Sequence, residues 1–187
     1  MERMIDRTHP VFGRLEPLPA AEHPELLAPS VAEAVQDPEL QAYVAEIDPQ
    51  YADTEQLCAH YDVPLDASIN AVIVRGTRAG TEKFAVCMTP ADRRVDVNGL
   101  VRKKLDARKA SFAPMDVAVE ATGMEYGGIT PVGAPAEWPI WVDPLAVEHD
   151  WVCVGSGVRG SKLFLPGSSL LTLPNSEAVE GLTRPAS

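Results

Sequence analysis

Two apolar, β-branched runs either side of a glycine-bounded turn constrain this chain most. Ala71-Val72-Ile73-Val74-Arg75 and Phe84-Ala85-Val86-Cys87-Met88 flank the stretch from Gly76 to Gly80. Runs of this length and composition suit a pleated strand, and a glycine-containing connection of this size joins them as an antiparallel hairpin. Further strands are expected at Pro139 to Val142, Trp151 to Val154 and Lys162 to Leu165. Helical spacing predicts the covering layer. Ser30 with Glu33 fits a capping box. Pro38 opens a helix that places Leu40, Tyr43, Val44 and Ile47 on one face, and Asp53-Thr54 cap another carrying Leu57, Cys58 and Tyr61. Asp92 to Asp106 reads as a helix with Val97, Leu100, Val101 and Leu105 inward and Arg102, Lys103 and Arg108 outward. Ala113-Pro114 starts one more, with Gly123 as its C′ residue. Strands with hairpin-length connections, interrupted by helices, define an α+β domain around a mainly antiparallel sheet.

At 187 residues, 45% hydrophobic and 23% charged, the chain is sized for one domain with a real core. The expected organisation is an irregular, Pro-rich and acidic arm over residues 1–28, a domain over 29–175 and a fraying tail over 176–187. No run of 18 apolar residues is present, which excludes a membrane-spanning helix, and the first residues lack the apolar core of a signal peptide. A cytoplasmic protein is expected. Cys58, Cys87 and Cys153 are odd in number and never in a CxxC pair, so neither a disulfide framework nor a cysteine zinc site is expected. No metal or cofactor is expected.

Charge is segregated. Residues 1–70 hold 14 acidic and 3 basic side chains, the whole excess of the chain's net −11. From Arg75 to Ser111 the balance reverses, with ten basic residues against four acidic. An acidic body argues against nonspecific coating of nucleic acid, while a local basic face permits docking of one polyanion. A solvated surface explains the same cluster.

Two motifs fail on context. Gly155-Ser156-Gly157-Val158-Arg159-Gly160 matches GxGxxG, but the strand-like Ser161 to Leu165 follows where a dinucleotide site needs a helix. Ser156, Ser161 and Ser68 could serve a triad with His9, His23, His60 or His149, but there is no GxSxG elbow. The loop Gly123 to Gly133 is the sharper feature, with four glycines and Pro131 in eleven residues. Such a loop lets backbone approach a ligand closely and offers N–H groups to a carbonyl oxygen or phosphate.

In order, Arg93-Arg94-Val95-Asp96, Leu105 to Ala113, Gly123, Gly127-Gly128-Ile129-Thr130-Pro131, Val142-Asp143 and Gly155 to Gly160 resemble the YbaK/EbsC family of prolyl-tRNA-synthetase-associated editing domains. The resemblance covers Asn70 to Leu173. It implies a curved, mixed, largely antiparallel sheet flanked by helices. It also implies an aminoacyl-tRNA deacylase that hydrolyses the ester of mischarged tRNA in trans, a hydrolase of translation fidelity. The GxxxP loop would shape the aminoacyl pocket through Gly127, Gly128, Ile129, Thr130 and Pro131, with Gly155, Ser156, Gly157 and Lys162 of the Gly-rich turn contributing. Family members often carry a catalytic lysine before the first core strand; the matching position here is Asn70. Asn70 is thus the expected catalytic position, orienting ribose or water, and Lys162 could supply the missing charge. Arg94, Arg102, Lys103, Arg108 and Lys109 would contact tRNA. The partners implied are the acceptor end of aminoacyl-tRNA and an aminoacyl-tRNA synthetase. The alternative is a non-catalytic module that kept the pocket and lost the lysine.

Overall fold

The computed structural model describes residues 5–186. In chain order its elements are β1 (Leu18–Pro19), α1 (Pro29–Ala34), β2 (Tyr43–Glu46), α2 (Thr54–Tyr61), β3 (Ile69–Arg78), β4 (Thr81–Pro90), β5 (Arg93–Val95), α3 (Arg102–Lys104), β6 (Lys109–Phe112), α4 (Met115–Thr122), β7 (Ile140–Val142), α5 (Pro144–Glu148), β8 (Val152–Gly155), β9 (Ser161–Leu165), β10 (Ser176–Ala178) and β11 (Thr183–Pro185). The protein is α+β with mixed, mostly antiparallel sheets. One sheet has the order β1-β2-β9-β8, a second β10-β7-β4-β3-β6, and β11 pairs with β5 as a ribbon. Among the strand ladders of the described residues, parallel pairing occurs at β7, which lies between β10 and β4.

The hairpin is the longest ladder, running from Ile69 opposite Pro90 to Arg78 opposite Thr81. Its turn is tighter than Gly76 to Gly80. Ala79 and Gly80 alone form it, with φ of 50° and 82°, as a two-residue loop matched to strand twist requires. Gly76 stays in β3, opposite Lys83 on one side and Ala110 on the other.

Three expected elements differ. The helix placed after Pro38 is a single 3₁₀ turn, Pro38–Leu40, ended by Gln41 in the left-handed region, and the chain then extends into β2. Val44 and Ala45 are both fully buried, because β2 lies between β1 and β9 with apolar groups on each face. A strand buried on both faces loses its alternation and mimics a helical stripe. The helix expected over Asp92 to Asp106 is divided into β5, a π-helical turn at Val97–Val101 and the short α3. Its first residues are captured by β11, and Asp96 turns the chain by accepting hydrogen bonds from Gly99 and Leu100 N–H. Correspondingly, the tail does not fray. Leu182 is fully buried, and Thr183 donates to buried Asp143 while accepting from Arg93 Nε at 2.7 Å.

Residues 1–28 were expected as an irregular arm; residues 1–4, like Ser187 of the expected tail, lie outside the described residues. From Pro10 to Leu26 the arm is 3₁₀ turns and β1, and it is packed into the body. Val11, Phe12 and Leu15 are buried in a cluster with Ala45, Leu57, Cys153 and Phe164. The Phe12 and Phe164 rings lie 4.9 Å apart, and Trp151 flanks Phe12 at 5.9 Å. Truncating Phe12 removes a fully buried ring from this second core. Phe12→Ala is therefore expected to destabilise the fold by about 3–5 kcal/mol in urea denaturation; an arm merely resting on the surface would lose under about 1 kcal/mol.

Candidate functional site

The two larger sheets meet at the start of β3. Ser68 bridges Cys153 in parallel, and Cys153 N–H donates to Ala67 C=O at 2.9 Å. Because β6 pairs only with Val74 to Thr77, the first residues of β3 have no partner strand on that side. A cavity of about 330 Å³ opens there, lined by Ser68, Ile69 to Ala71 of β3, Ala52, Asp53, Thr54 and Leu57 of the α2 region, Tyr126, Gly127 and Ile129 of the glycine-rich loop, Cys153 to Gly155 of β8, and Lys162 of β9.

Asn70 and Lys162 therefore share one cavity. Lys162 lies beyond the Gly-rich turn, within β9, the strand expected over Lys162 to Leu165, opposite Gly155 and Ala45. All five residues of β9 are buried, and Lys162 is only 6% exposed. Among the described residues no hydrogen bond or ion pair to its amine is formed. Burial is the main influence on its ammonium and holds its pKa below the ordinary lysine value; Arg159 adds to this, and Cys153, Asp53 and Cys58 oppose it. Burial also pushes the Cys153 thiol up to about 12 and raises that of Cys58. Neither thiol is a nucleophile at neutral pH.

Asn70 is exposed to the cavity, and its Oδ1 accepts from Thr54 Oγ1 at 2.7 Å. That bond leaves the Asn70 Nδ2 hydrogens for a ligand. Thr54 begins α2, whose N-cap Asp53 makes no side-chain cap bond and instead faces Arg159 Nη1 at 3.7 Å. Arg159 also donates to the carbonyls of Tyr126 and Pro49, tying the glycine-rich loop to the start of α2.

The loop is held by backbone-to-backbone contact. Gly128 N–H donates to Glu125 C=O at 2.9 Å and Gly157 N–H to Gly128 C=O at 2.7 Å. A Cβ on Gly155 would collide with the carbonyl oxygens of Gly128 and Ile129, so glycine is required there. Gly127 has φ of 87°, and its N–H has no partner among the described residues. Of the residues expected to form the pocket, Asn70, Gly127, Ile129, Gly155 and Lys162 line it. Gly128 and Gly157 lie behind it. Thr130 is fully buried, with its hydroxyl accepting from Val132 N–H. Pro131 faces a second hollow with Leu40, Ile140 and Leu173. Ser156 is fully buried, and its hydroxyl bonds to Ser161 and to the Val158 carbonyl. Ser156 does not line the cavity. Thr54, Asp53, Tyr126 and Arg159 complete the site.

Among the described residues no group of three His, Cys, Asp or Glu could hold a metal ion, and no helix is long and apolar enough to cross a membrane. The basic residues Arg108 and Lys109 adjoin Thr77, seven residues along β3 from Asn70, about 23 Å at strand rise. Arg94 is exposed on β5, Lys103 on α3, and Arg102 is half-buried with its Nε donating to Asn98 C=O.

A sheet seam closed by a glycine-rich loop defines a class, and the comparisons place it. Residues 48–173, more than half the chain, match the model of the aminoacyl-tRNA editing domain. The chain belongs to that family, the YbaK/EbsC family. A proposed Cys-tRNA(Pro)/Cys-tRNA(Cys) deacylase, EbsC of Enterococcus faecalis, is 24% identical over 99 residues, which is 53% of this chain and 60% of that protein. The chain thus aligns with under two thirds of that relative's length. Among solved structures, hypothetical protein APE2540 superposes with a TM-score of 0.71 at 21% identity, covering 83% of this chain and 99% of that one. A proposed trans-editing enzyme for prolyl tRNA synthetase gives 0.67 at 18%, covering 82% and 96%. These likenesses share the fold.

A buried amine without a counter-charge destabilises the fold while it is protonated. Between the lowered folded pKa and the ordinary value near 10.4, the unfolded chain binds more protons, so stability rises with pH across that window. Lys162→Met is expected to melt a few degrees above the wild type at neutral pH, roughly 2–4 °C per kcal/mol for a chain of this size. The difference shrinks above about pH 10.4. Scanning calorimetry from pH 6 to 11 reads both; a variant that melts lower throughout contradicts the assignment.

Proposed function

We propose that the protein is a trans-acting aminoacyl-tRNA deacylase, hydrolysing the ester of mischarged tRNA. One observation carries this: the seam cavity of about 330 Å³ gathers free donors, Gly127 N–H and Asn70 Nδ2, around a space near the lower end of small-molecule pockets. Such a space suits a small aminoacyl group and its ester. In this reading the ester carbonyl oxygen lies against Gly127 N–H and Asn70 Nδ2, which stabilise the oxyanion as water adds. Gly128 N–H is not available for that part, because it donates to Glu125 C=O. Tyr126, 54% exposed at the mouth, offers a ring to the terminal ribose or base. The acceptor stem extends along β3 toward Arg102, Lys103, Arg108 and Lys109, with Arg94 on the ribbon; an aminoacyl-tRNA synthetase is the natural neighbour of such an activity.

The test is a panel of tRNAs charged with Ala, Ser, Thr and Cys, cysteine being named for the Enterococcus relative. Hydrolysis of one charge is expected, slowed at least tenfold by Asn70→Ala, since one oxyanion donor contributes about 10²–10³. Binding without hydrolysis of any charge would make the chain a reader of aminoacyl ends instead. Affinity for tRNA should fall steeply from 50 to 200 mM salt, and Arg108→Ala with Lys109→Ala should flatten the log–log slope by about 1 per residue. An unchanged slope places the stem elsewhere.

A further inference from the structure

Lys162 is the one charged residue of β9 and lies on the face that also carries Phe164, beside Ala45, Ala52, Leu57 and Cys153 of the second core. Lys162 is buried among these residues and lines the cavity. A methionine would fill the same space without a charge to desolvate. What the amine adds is chemistry.

The other groups lining the cavity are poorly suited to take a proton from water. Asp53 is largely exposed, and its carboxylate is engaged by Arg159 Nη1 at 3.7 Å. The Ser68 hydroxyl donates to Pro64 C=O and contacts Cys58 Sγ at 3.4 Å. Cys153 is a fully buried, protonated thiol. No histidine lines the cavity; His60 is stacked on Tyr51 at 3.8 Å, on the outer surface of α2.

We propose that Lys162 Nζ is the general base of the hydrolysis assigned above, acting as the neutral amine across the cavity from Asn70. The inference rests on the deacylase reading. As water oxygen bonds to the ester carbonyl carbon, one water proton passes to Nζ. The tetrahedral intermediate then expels the ribose oxygen, breaking the acyl C–O bond, and the ammonium returns the proton to that oxygen. The products are the free amino acid and tRNA with its terminal hydroxyl restored, and Lys162 is neutral again. No co-reactant beyond water is needed. Burial favours the neutral amine, Arg159 from the β8–β9 turn reinforces it, and Asp53 and Cys58 on the α2 side and Cys153 on β8 oppose it. A base whose pKa is brought toward the working pH is the more effective catalyst.

Two measurements test this. The first is the pH titration of the Lys162 ¹³Cε resonance in the wild-type protein, assigned by its loss in Lys162→Met. It is expected to titrate below the ordinary lysine value, and kcat on the hydrolysed aminoacyl-tRNA should rise with pH through the same midpoint. The second compares variants. Lys162→Met is expected to lose about 10²–10⁴-fold in kcat with KM within about twofold. Lys162→Arg should be equally impaired, because a guanidinium stays protonated. Activity retained in Lys162→Arg would overturn the base in favour of a fixed cation. Wild-type turnover in Lys162→Met, or titration near 10.4, would also overturn it while leaving the deacylase reading intact. A wild-type protein that hydrolyses none of the charged tRNAs would defeat the deacylase reading and the base together. Thermal melting of each variant separates lost chemistry from lost fold.

Discussion

The parallel bridge between Ser68 and Cys153, with Cys153 N–H donating to Ala67 C=O, joins the edges of two sheets and sets where the rest of the molecule can open. Beyond it the strands diverge. β3 continues into the hairpin, β8 ends at Gly155, and β6 reaches β3 only from Val74 onward. The main-chain groups exposed by that divergence cannot stay buried and unpaired. Capping the gap falls to the first turn of α2 and the glycine-rich loop, which Arg159 ties together. The cavity is what remains between them. Its position follows from strand pairing rather than from any single side chain.

Much of this fold is legible in the sequence. Val72 to Val74 and Phe84 to Met88 declare the hairpin, and Thr54 to Tyr61 and Met115 to Thr122 are helices where caps and spacing put them. Elements failed to be legible where a partner distant in sequence determined them. Arg93 to Val95 become a strand only because Thr183 to Pro185 return beside them, ninety residues later. Tyr43 to Glu46 look helical because both faces are covered, by β1 and β9 as neighbours in plane and by apolar residues above and below.

The site divides in the same way. The glycines and Asn70 could be singled out from residue type and order. Lys162 could be singled out too, as the one charge in an otherwise apolar expected strand. Alternation along Ser161 to Leu165 puts Lys162 on the same face as Phe164, which is the available clue that it points inward. Thr54 carried only the signal of a helix start, and nothing local shows that its hydroxyl would meet Asn70 sixteen residues on. Most polar groups in this region satisfy one another: Ser156 with Ser161, Ser68 with Pro64, Arg159 with three partners. Against that economy, the amide of Asn70 and the amine of Lys162 stand out as groups left for something else.

The wall where Gly155 lies against the Gly128 and Ile129 carbonyls has a separate consequence. It is built of main chain on main chain, and the residue at its closest approach admits no side chain. Substitution cannot reshape that side of the cavity without disrupting the fold. Divergence in the molecule the cavity accepts must come from the opposite side, where Thr54 and Leu57 of α2 and Asn70 and Ala71 of β3 present side chains that can change size. The chain thus has one inheritable mould and one adjustable face, and a drift in what it accepts would be written in α2 and β3 while the glycines stand still.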